Sequence, residues 1–119
     1  MITASFSRAN DNGTESITLK LNGHAGMAER GEDTVCASAS ILAYTVAQSL
    51  MFMYEEGGLE EKPLIRLDSG DAEITAIPKH TSYIEALHIF FVAQVGYSLL
   101  AHNYPQFVEL NSFGEAEQA

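Results

Sequence analysis

Apolar and polar residues alternate in the first two segments of the chain, as they do in strands that bury one face. The segments cover residues 2–8 and 15–22. Between them, residues 10–13 read Asn-Asp-Asn-Gly, a strong turn signal because Asn and Gly tolerate a positive φ angle. The pattern therefore predicts an opening β-hairpin. Its inward-facing positions are Ile2, Ala4, Phe6, Ile17, Leu19 and Leu21.

A long uncharged segment follows that shows no strand-like alternation. We expect a helix that is capped by Asp33 or Thr34, runs to about Glu56 and ends at the glycine pair 57–58. Apolar residues surround this helix on nearly all sides, so it should be covered on more than one side. A sheet on one side, and a second helix or a second copy of the chain on another, would provide that cover.

A second helix is predicted over residues 82–102, where apolar residues recur at helical spacing. Thr81 or Ser82 would cap it, with Glu85 at the offset of a capping box. Pro105 cannot continue a helix, so the helix should end before it.

Strand patterns frame this second helix. Residues 64–68 and 71–77 predict a second hairpin around a Ser-Gly turn, and residues 106–110 predict a last strand. The order ββαββαβ, without repeats, indicates a single α+β domain over residues 1–119, with a mainly antiparallel sheet and two long helices. We expect residues 111–119 to form a frayed tail.

Composition narrows the class of partner. The chain is 46% hydrophobic, which argues against disorder, and its 6 basic and 16 acidic side chains give a net charge of −10. A surface this acidic repels phosphate backbones. We therefore expect no direct nucleic-acid partner. It would steer a basic partner, such as a Lys- and Arg-rich peptide, toward the protein. Acidity also serves solubility, so charge alone does not choose between these functions.

Cysteine usage and the absence of targeting signals predict a cytoplasmic protein. Cys36 is the one cysteine, which excludes an internal disulfide and a multi-cysteine zinc site and fits a reducing compartment. Residues 1–8 contain no apolar core of a signal peptide. Residues 34–54 are uncharged, but they carry several Ser, Thr and Gln side chains and acidic flanks, unlike a cytoplasmic membrane anchor. We expect no membrane, metal or cofactor.

The position of Cys36 suggests chemistry. With Asp33 as the N-cap, Cys36 is the third helical residue, inside the first turn. Unpaired backbone N–H groups and the positive end of the helix dipole favour a thiolate there. A thiolate so placed is an activated nucleophile, and a nearby imidazole can carry the proton.

Two further side chains are candidates for the same site. His24 follows a predicted strand, and the loop that joins it to the helix is long enough to bring its ring beside the helix start. Ser40 lies one turn after Cys36 and could hydrogen-bond the thiol or a reacting carbonyl oxygen. Asp33 could orient His24 or only cap the helix.

Simpler interpretations of these residues stay open on sequence grounds alone. A lone cysteine in a helix of small residues is more often a buried spacer than a nucleophile. His80, His88 and His102 show no spacing typical of metal ligands. Several large apolar residues of the two helices are most simply core or dimer-contact residues, namely Tyr44, Met51, Phe52, Met53, Phe90 and Phe91.

The motif around Cys36 and His24 resembles the ribosomal-processing cysteine protease family of bacteria (Prp). The shared features are Gly-His-Ala at residues 23–25, Gly-x-Asp-x-Val-Cys-Ala at residues 31–37, and a Ser four residues after the Cys. The element order and the Tyr-Pro-x-Phe-Val sequence at residues 104–108 also match the family. Thr34 is a departure, since an aliphatic residue is more usual at that position.

The resemblance implies a Cys–His endopeptidase that removes a short N-terminal extension from a large-subunit ribosomal protein. It assigns Cys36 as the nucleophile and His24 as the general base and then acid. Asp33 and Ser40 would have supporting roles. The resemblance also implies a homodimer, and a loop over residues 25–34 that covers the substrate. The hinges of that loop would be Gly23, Gly26 and Gly31.

Two other classes of function are compatible with the same residues. The protein could be a non-catalytic, dimeric ribosome-assembly factor whose Cys36 is structural. It could also be another thiol enzyme, an amidase or acyltransferase with the same pair of residues.

Overall fold

The computed structural model describes residues 1–26 and 33–114, which contain five strands and two long helices. The element order is ββαββαβ within an α+β domain, as the sequence predicts. A short 3₁₀ turn, His80–Ser82, precedes the second long helix. The elements are β1 (Ile2–Asp11), β2 (Thr14–Asn22), α1 (Thr34–Glu55), β3 (Leu64–Asp68), β4 (Asp71–Ala76), α2 (Tyr83–Asn103) and β5 (Val108–Asn111).

The five strands form one mixed sheet in the order β3-β4-β2-β1-β5. The pairings of β1 with β2, β2 with β4 and β3 with β4 are antiparallel, and β5 pairs parallel to β1. The first hairpin closes through the predicted Asn-Gly turn, in which Asn12 has φ 55° and Gly13 has φ 88°. Because this turn has only two residues, pairing continues to its edge, and β1 extends to Asp11, beyond the predicted end at Arg8.

The pairing of β4 with β2 brings the two hairpins together. Asn22, at the end of β2, lies opposite Asp71, at the start of β4. The Gly23 N–H also donates a hydrogen bond of 2.9 Å to the Gly70 carbonyl oxygen. The turn between β3 and β4 therefore lies beside the segment that leaves β2, which contains His24.

Both ends of α1 agree with the sequence signals. Asp33 is the N-cap. At the other end, Gly57 has φ 86°, and its N–H donates to the Tyr54 carbonyl while the Gly58 N–H donates to the Met53 carbonyl. This pair of bonds satisfies carbonyl groups that the last helical turn leaves free. The glycine pair therefore ends α1 as predicted.

The start of α2 differs from the prediction of a side-chain cap. Ser82 is at the N-cap position, but its side chain makes no capping hydrogen bond. The 3₁₀ turn precedes the helix directly, and the Tyr83 N–H donates to the His80 carbonyl. The Ser82 N–H also donates to the Lys79 carbonyl oxygen at 2.9 Å, so it is not available to the Glu85 side chain in a capping box.

Small residues let both helices approach the rest of the molecule closely. Ala39, Ala43 and Ala47 of α1 are buried, as are Ala86 and Ala93 of α2. The largest fully buried side chains of the core join the sheet to the helices. They are Tyr97, Phe6, Phe90, Ile17, Leu19, Leu50, Ile74, Val35 and Val46.

Length and composition alone would allow α1 and α2 to cross a membrane. Both helices instead pack in one fold with the sheet. Among the described residues, β3 and β5 form the open edges of that sheet. Open sheet edges do not occur in the hydrocarbon region of a bilayer, because their backbone groups would lack partners.

The end of the described chain is packed rather than frayed. The Phe113 N–H donates to the Gln94 side-chain oxygen at 2.8 Å, and the Phe113 ring lies 5.4 Å from the Phe6 ring. The predicted frayed tail is therefore wrong for residues 111–114, because an aromatic contact and a hydrogen bond hold them on the domain. Residues 115–119 lie outside the described residues.

We expect Tyr97→Phe to lower the free energy of unfolding by about 1 kcal/mol near neutral pH, the usual net value of a hydrogen bond. The Tyr97 hydroxyl is buried and donates to the Ala39 carbonyl oxygen at 2.7 Å. Burial disfavours the phenolate and raises the pKa of Tyr97 above its usual value. Urea denaturation of both proteins at about pH 8 measures the difference.

The same burial gives a pH dependence with a definite sign. Below the unfolded-state pKa of about 10, Tyr97 is protonated in both states and the hydrogen bond contributes fully. Above about pH 10 the unfolded chain loses this proton first, so stability falls by up to about 1.4 kcal/mol per pH unit. The advantage of the wild type over Tyr97→Phe should therefore shrink above that pH. A constant difference up to about pH 11 would contradict the raised pKa.

Candidate active site

An open cleft of about 460 Å³ lies where the end of β2, the start of α1 and the β3–β4 turn meet. It brings together the two residues predicted to be catalytic, His24 and Cys36. Both predicted supporting residues, Asp33 and Ser40, line the same cleft. The structure therefore gathers the candidate residues of two separate segments at one place on the surface.

Cys36 is the third residue of α1 and is partly exposed, so a substrate in the cleft can reach its sulfur. The Ala25 N–H donates a hydrogen bond of 3.3 Å to the Cys36 Sγ. A donor directed at the sulfur stabilises negative charge there, as does the N-terminal end of a helix. Cys36 is therefore accessible and hydrogen-bonded, and its role as a nucleophile stays a prediction.

Asp33 determines where the first turn of α1 begins. Its side chain is only 6% exposed, and its Oδ1 accepts hydrogen bonds from the backbone N–H groups of Val35, at 2.9 Å, and Cys36, at 3.0 Å. These bonds pair two of the donors that a helix start leaves free. The carboxylate thus holds the backbone of Cys36 directly. An additional role in orienting His24 stays a prediction.

Gly23 shapes the path of the chain into the site. Its φ is 93°, and a Cβ atom built there would lie 2.1 Å from the Met1 carbonyl oxygen, so only glycine fits. Gly26 also has a positive φ, but no atom of the described residues lies within 4 Å of a Cβ atom built on it, apart from its chain neighbours. Gly31, the third predicted hinge, lies outside the described residues. That Gly23, Gly26 and Gly31 act as hinges stays a prediction, and so does the covering loop, because residues 27–32 are not described.

The His24 ring stands against the β3–β4 turn on the wall of the cleft, next to Gly70. His24 is exposed, so its ring is accessible from the cleft. The described hydrogen bond to Cys36 Sγ comes from the backbone of Ala25, the residue after His24. The His24 segment therefore contacts both the thiol and the turn.

Small and aromatic side chains of α1 form the rest of the cleft. Ala39 and Ala43 lie one and two turns beyond Cys36 and leave space above the helix. Ser40 is exposed at the same level, where its hydroxyl can reach a bound peptide. Tyr44, interpreted from sequence as a core or dimer-contact residue, is 50% exposed and lines the cleft. Its exposure excludes a core position, and a role as a dimer contact stays a prediction.

The sequence indicated a turn at residues 69–70 but not its place at the site. Asp68, Ser69, Gly70 and Asp71 all line the cleft. Arg66 pairs with Asp71 at 2.6 Å and with Asp68 at 3.6 Å, and the hydrogen bond to Asp71 is the main reason that the pKa of Arg66 is raised. No local pattern could reveal this wall, because it reaches His24 only through the pairing of β4 with β2.

The other three histidines lie outside the cleft. His80, His88 and His102 do not line the cleft. Across residues 1–26 and 33–114, no three His, Cys, Asp or Glu side chains lie close enough together to hold a metal ion. The described chemistry of the cleft is that of a thiol, an imidazole and hydrogen-bonding groups.

Asp33→Ala should destabilise the protein by about 1–2 kcal/mol, the typical loss when a capping side chain is removed. Asp33→Asn keeps an oxygen that can accept the Val35 and Cys36 N–H bonds and should retain most of the stability. Urea denaturation compares the two variants. Equal stability losses in both would show that the charge of Asp33, rather than its cap, stabilises the fold.

Comparison with known proteins places this site in a family. The sequence matches the family described as cysteine protease Prp over residues 1–109. No curated protein sequence matches the chain significantly.

Solved structures give the same result. The essential ribosomal processing protease Prp from S. aureus, in complex with a covalently linked product peptide, is similar with a TM-score of 0.67 and 27% identity, over 94% of this chain and 99% of that chain. The same protease with a substrate peptide has a TM-score of 0.64 and 25% identity, with the same coverage. SMU.848 from Streptococcus mutans has a TM-score of 0.64 and 25% identity, over 95% of this chain and 94% of that chain. The chain therefore belongs to the Prp family of cysteine proteases.

Proposed function

We propose that this cysteine protease is an endopeptidase that removes a short N-terminal extension from a large-subunit ribosomal protein, with Cys36 as the nucleophile and His24 as its proton carrier. The observation that carries the proposal is the cleft that is lined by both an accessible thiol at a helix start and an accessible imidazole. The similar S. aureus protein, a ribosomal processing protease that binds a substrate peptide, supports the choice of substrate.

In the first half of the reaction, His24 takes the proton of the Cys36 thiol, and the sulfur attacks the carbonyl carbon of the scissile peptide bond. The carbonyl oxygen becomes an oxyanion, and the Ser40 hydroxyl can donate a hydrogen bond to it. The C–N bond then breaks, and protonated His24 gives its proton to the leaving amine. The extension remains bound to Cys36 as a thioester.

In the second half, a water molecule enters and His24 takes one of its protons. The resulting hydroxide attacks the thioester carbon, the C–S bond breaks, and the sulfur leaves as a thiolate. The extension departs as a carboxylic acid that loses its proton to solvent. Protonated His24 returns its proton to the Cys36 sulfur, and the site is again in its starting state. The Ala25 N–H, which donates to Sγ, stabilises the sulfur whenever it carries negative charge.

The charge of the protein fits a basic substrate. Ribosomal proteins are rich in Lys and Arg, and a net charge of −10 attracts such chains and repels nucleic acid. Asp68 and Asp71 place part of this charge at the cleft itself. We propose action in the cytoplasm, where ribosomal proteins are made and a free thiol stays reduced.

Cys36→Ala and Cys36→Ser should abolish cleavage of the precursor ribosomal protein of the same organism, because no thiolate remains to form the acyl intermediate. Both variants should keep the wild-type circular dichroism spectrum and nearly the wild-type stability, since the Cys36 side chain is only partly buried. His24→Ala should lower kcat by about 10²–10⁴-fold, the usual contribution of a general acid–base group. Mass spectrometry of the products measures each rate.

Two outcomes would contradict this assignment. Wild-type cleavage by either Cys36 variant would remove the thiol from the mechanism, and an unchanged rate for His24→Ala would remove the imidazole. Iodoacetamide labelling of Cys36 near neutral pH adds a measurement that needs no peptide substrate. If iodoacetamide labels the thiol but the precursor stays intact, Cys36 is a reactive thiol as proposed and the proposed substrate is wrong.

We also propose that the protein acts as a homodimer that uses the outer face of α2. This face, the α2 outer stripe, exposes apolar side chains at helical spacing, and monomeric proteins rarely expose a continuous surface of this kind. Val92, for example, is 69% exposed. A second copy would cover the stripe and complete the burial that the sequence pattern of the helices requires. The stripe consists of Ile84, Phe91, Val92, Val95 and Leu99.

Val95→Glu should convert the dimer to a monomer, because it places a carboxylate at the middle of the α2 outer stripe, where pairing would bury it without a partner. Ala9→Glu is the matched control, since Ala9 is exposed on β1, on the sheet rather than the helices. Sedimentation velocity at several concentrations measures the assembly state of each protein. A wild-type monomer, or equal dimerisation of the wild type and Val95→Glu, would contradict the proposed interface.

A further inference from the structure

The His24 ring occupies space that a side chain on Gly70 would need. A Cβ atom built on Gly70 would lie 2.5 Å from His24 Nε2 and 3.1 Å from both His24 Cδ2 and Cε1. Real Cβ atoms essentially never approach a neighbour as closely as the first of these distances. Residue 70 must therefore lack a side chain for the ring to stand where it does.

The turn that contains Gly70 is well fixed, so it can act as a wall for the ring. The Gly70 carbonyl oxygen accepts the Gly23 N–H, one residue before His24. Asp71 pairs with Asn22 in the sheet, and its carboxylate binds Arg66 across the hairpin at 2.6 Å. The backbone of His24 and the surface under its ring are thus parts of one hydrogen-bonded unit.

A fixed wall matters because an exposed ring can rotate. His24 is exposed, and an exposed side chain samples several rotamers unless packing restricts it. Proton transfer needs the imidazole within hydrogen-bond reach of its partner. The Gly70 backbone lies directly beside the ring and can restrict its rotation.

We propose that Gly70 is a positioning residue for catalysis, whose missing side chain forms the slot that holds the His24 ring at the cleft. The inference rests on the proposed role of His24 as proton carrier. Gly70 itself does not touch the reacting atoms. It acts through His24, so its loss should lower kcat more than it raises KM.

A second reason for glycine at this position must be separated from the first. Gly70 has φ 73°, a conformation that side chains rarely adopt, so Gly70→Ala strains the backbone as well as displacing the ring. Gly13 offers a matched control. It has φ 88° in the other two-residue hairpin turn, and among the described residues only its chain neighbours lie within 4 Å of a Cβ atom built on it. Gly13→Ala therefore carries the backbone strain without the contact.

Gly70→Asn further distinguishes the backbone explanation from the ring explanation. Asparagine tolerates a positive φ better than alanine does, but its side chain is larger. If glycine is needed only for the backbone, Gly70→Asn should fold more stably than Gly70→Ala and recover activity. If glycine is needed for the ring, Gly70→Asn should fold more stably and yet be no more active than Gly70→Ala.

The experiment measures the His24 ring and the kinetics separately. Proton–carbon NMR of the ring, assigned by comparison with His24→Ala, reports its surroundings in each variant. We expect both Gly70 variants to shift the His24 resonances and to lower kcat by about 30–100-fold, because a displacement of about 1 Å can cost that much. Gly13→Ala should leave the resonances in place and kcat within about twofold of the wild type. Circular dichroism confirms folding.

The outcomes separate this inference from the proposed function. Unshifted His24 resonances in a folded Gly70→Asn, or equal losses of kcat in Gly13→Ala and Gly70→Ala, would overturn the positioning role. Wild-type cleavage by His24→Ala would overturn the proposed mechanism, and with it the catalytic part of this inference. The ring resonances would still decide whether Gly70 holds His24.

Discussion

The site depends above all on the pairing of β4 with β2. This pairing places Asp71 opposite Asn22 and lets the Gly70 carbonyl accept the Gly23 N–H. The strand that leads to His24 is thereby joined to the turn that supports the His24 ring. Without this contact the cleft would lose one wall, and the His24 ring would lose the turn beside it.

The first turn of α1 provides the other half of the site. Asp33 pairs with the N–H groups of Val35 and Cys36, so the helix begins in one register and the thiol projects into the cleft. The Ala25 N–H then reaches the sulfur from the segment that follows β2. The segment after β2 and the start of α1 thus meet at this hydrogen bond, and each is held by its own backbone contacts.

The helices combine a buried role with an exposed one. Their small residues face inward and allow close packing, with the Tyr97 hydroxyl bonded to the Ala39 carbonyl between them. Their large apolar residues include many that face outward, among them Phe91 and Leu99. This arrangement explains why the helices appear apolar on nearly all sides in the sequence, although the sheet covers only one of those sides.

Local interactions could be predicted from the sequence because they involve residues a few positions apart. The alternation that forms the strands, the Asn12-Gly13 turn, the Asp33 cap and the place of Cys36 in the first turn all belong to this class. The resemblance to the Prp family, based on the motifs around His24 and Cys36, is confirmed by the match over residues 1–109.

Long-range neighbours could only be decided by the tertiary structure. A hydrophobic pattern tells which face of a strand is buried, but it does not tell which strand lies beside it. The parallel pairing of β5, the packing of Phe113 and the position of Tyr44 in the cleft follow from such neighbours. The contact between Gly70 and His24 also follows from such neighbours. A glycine in a sequence predicts a turn, but it does not show which side chain lies in the space beside it.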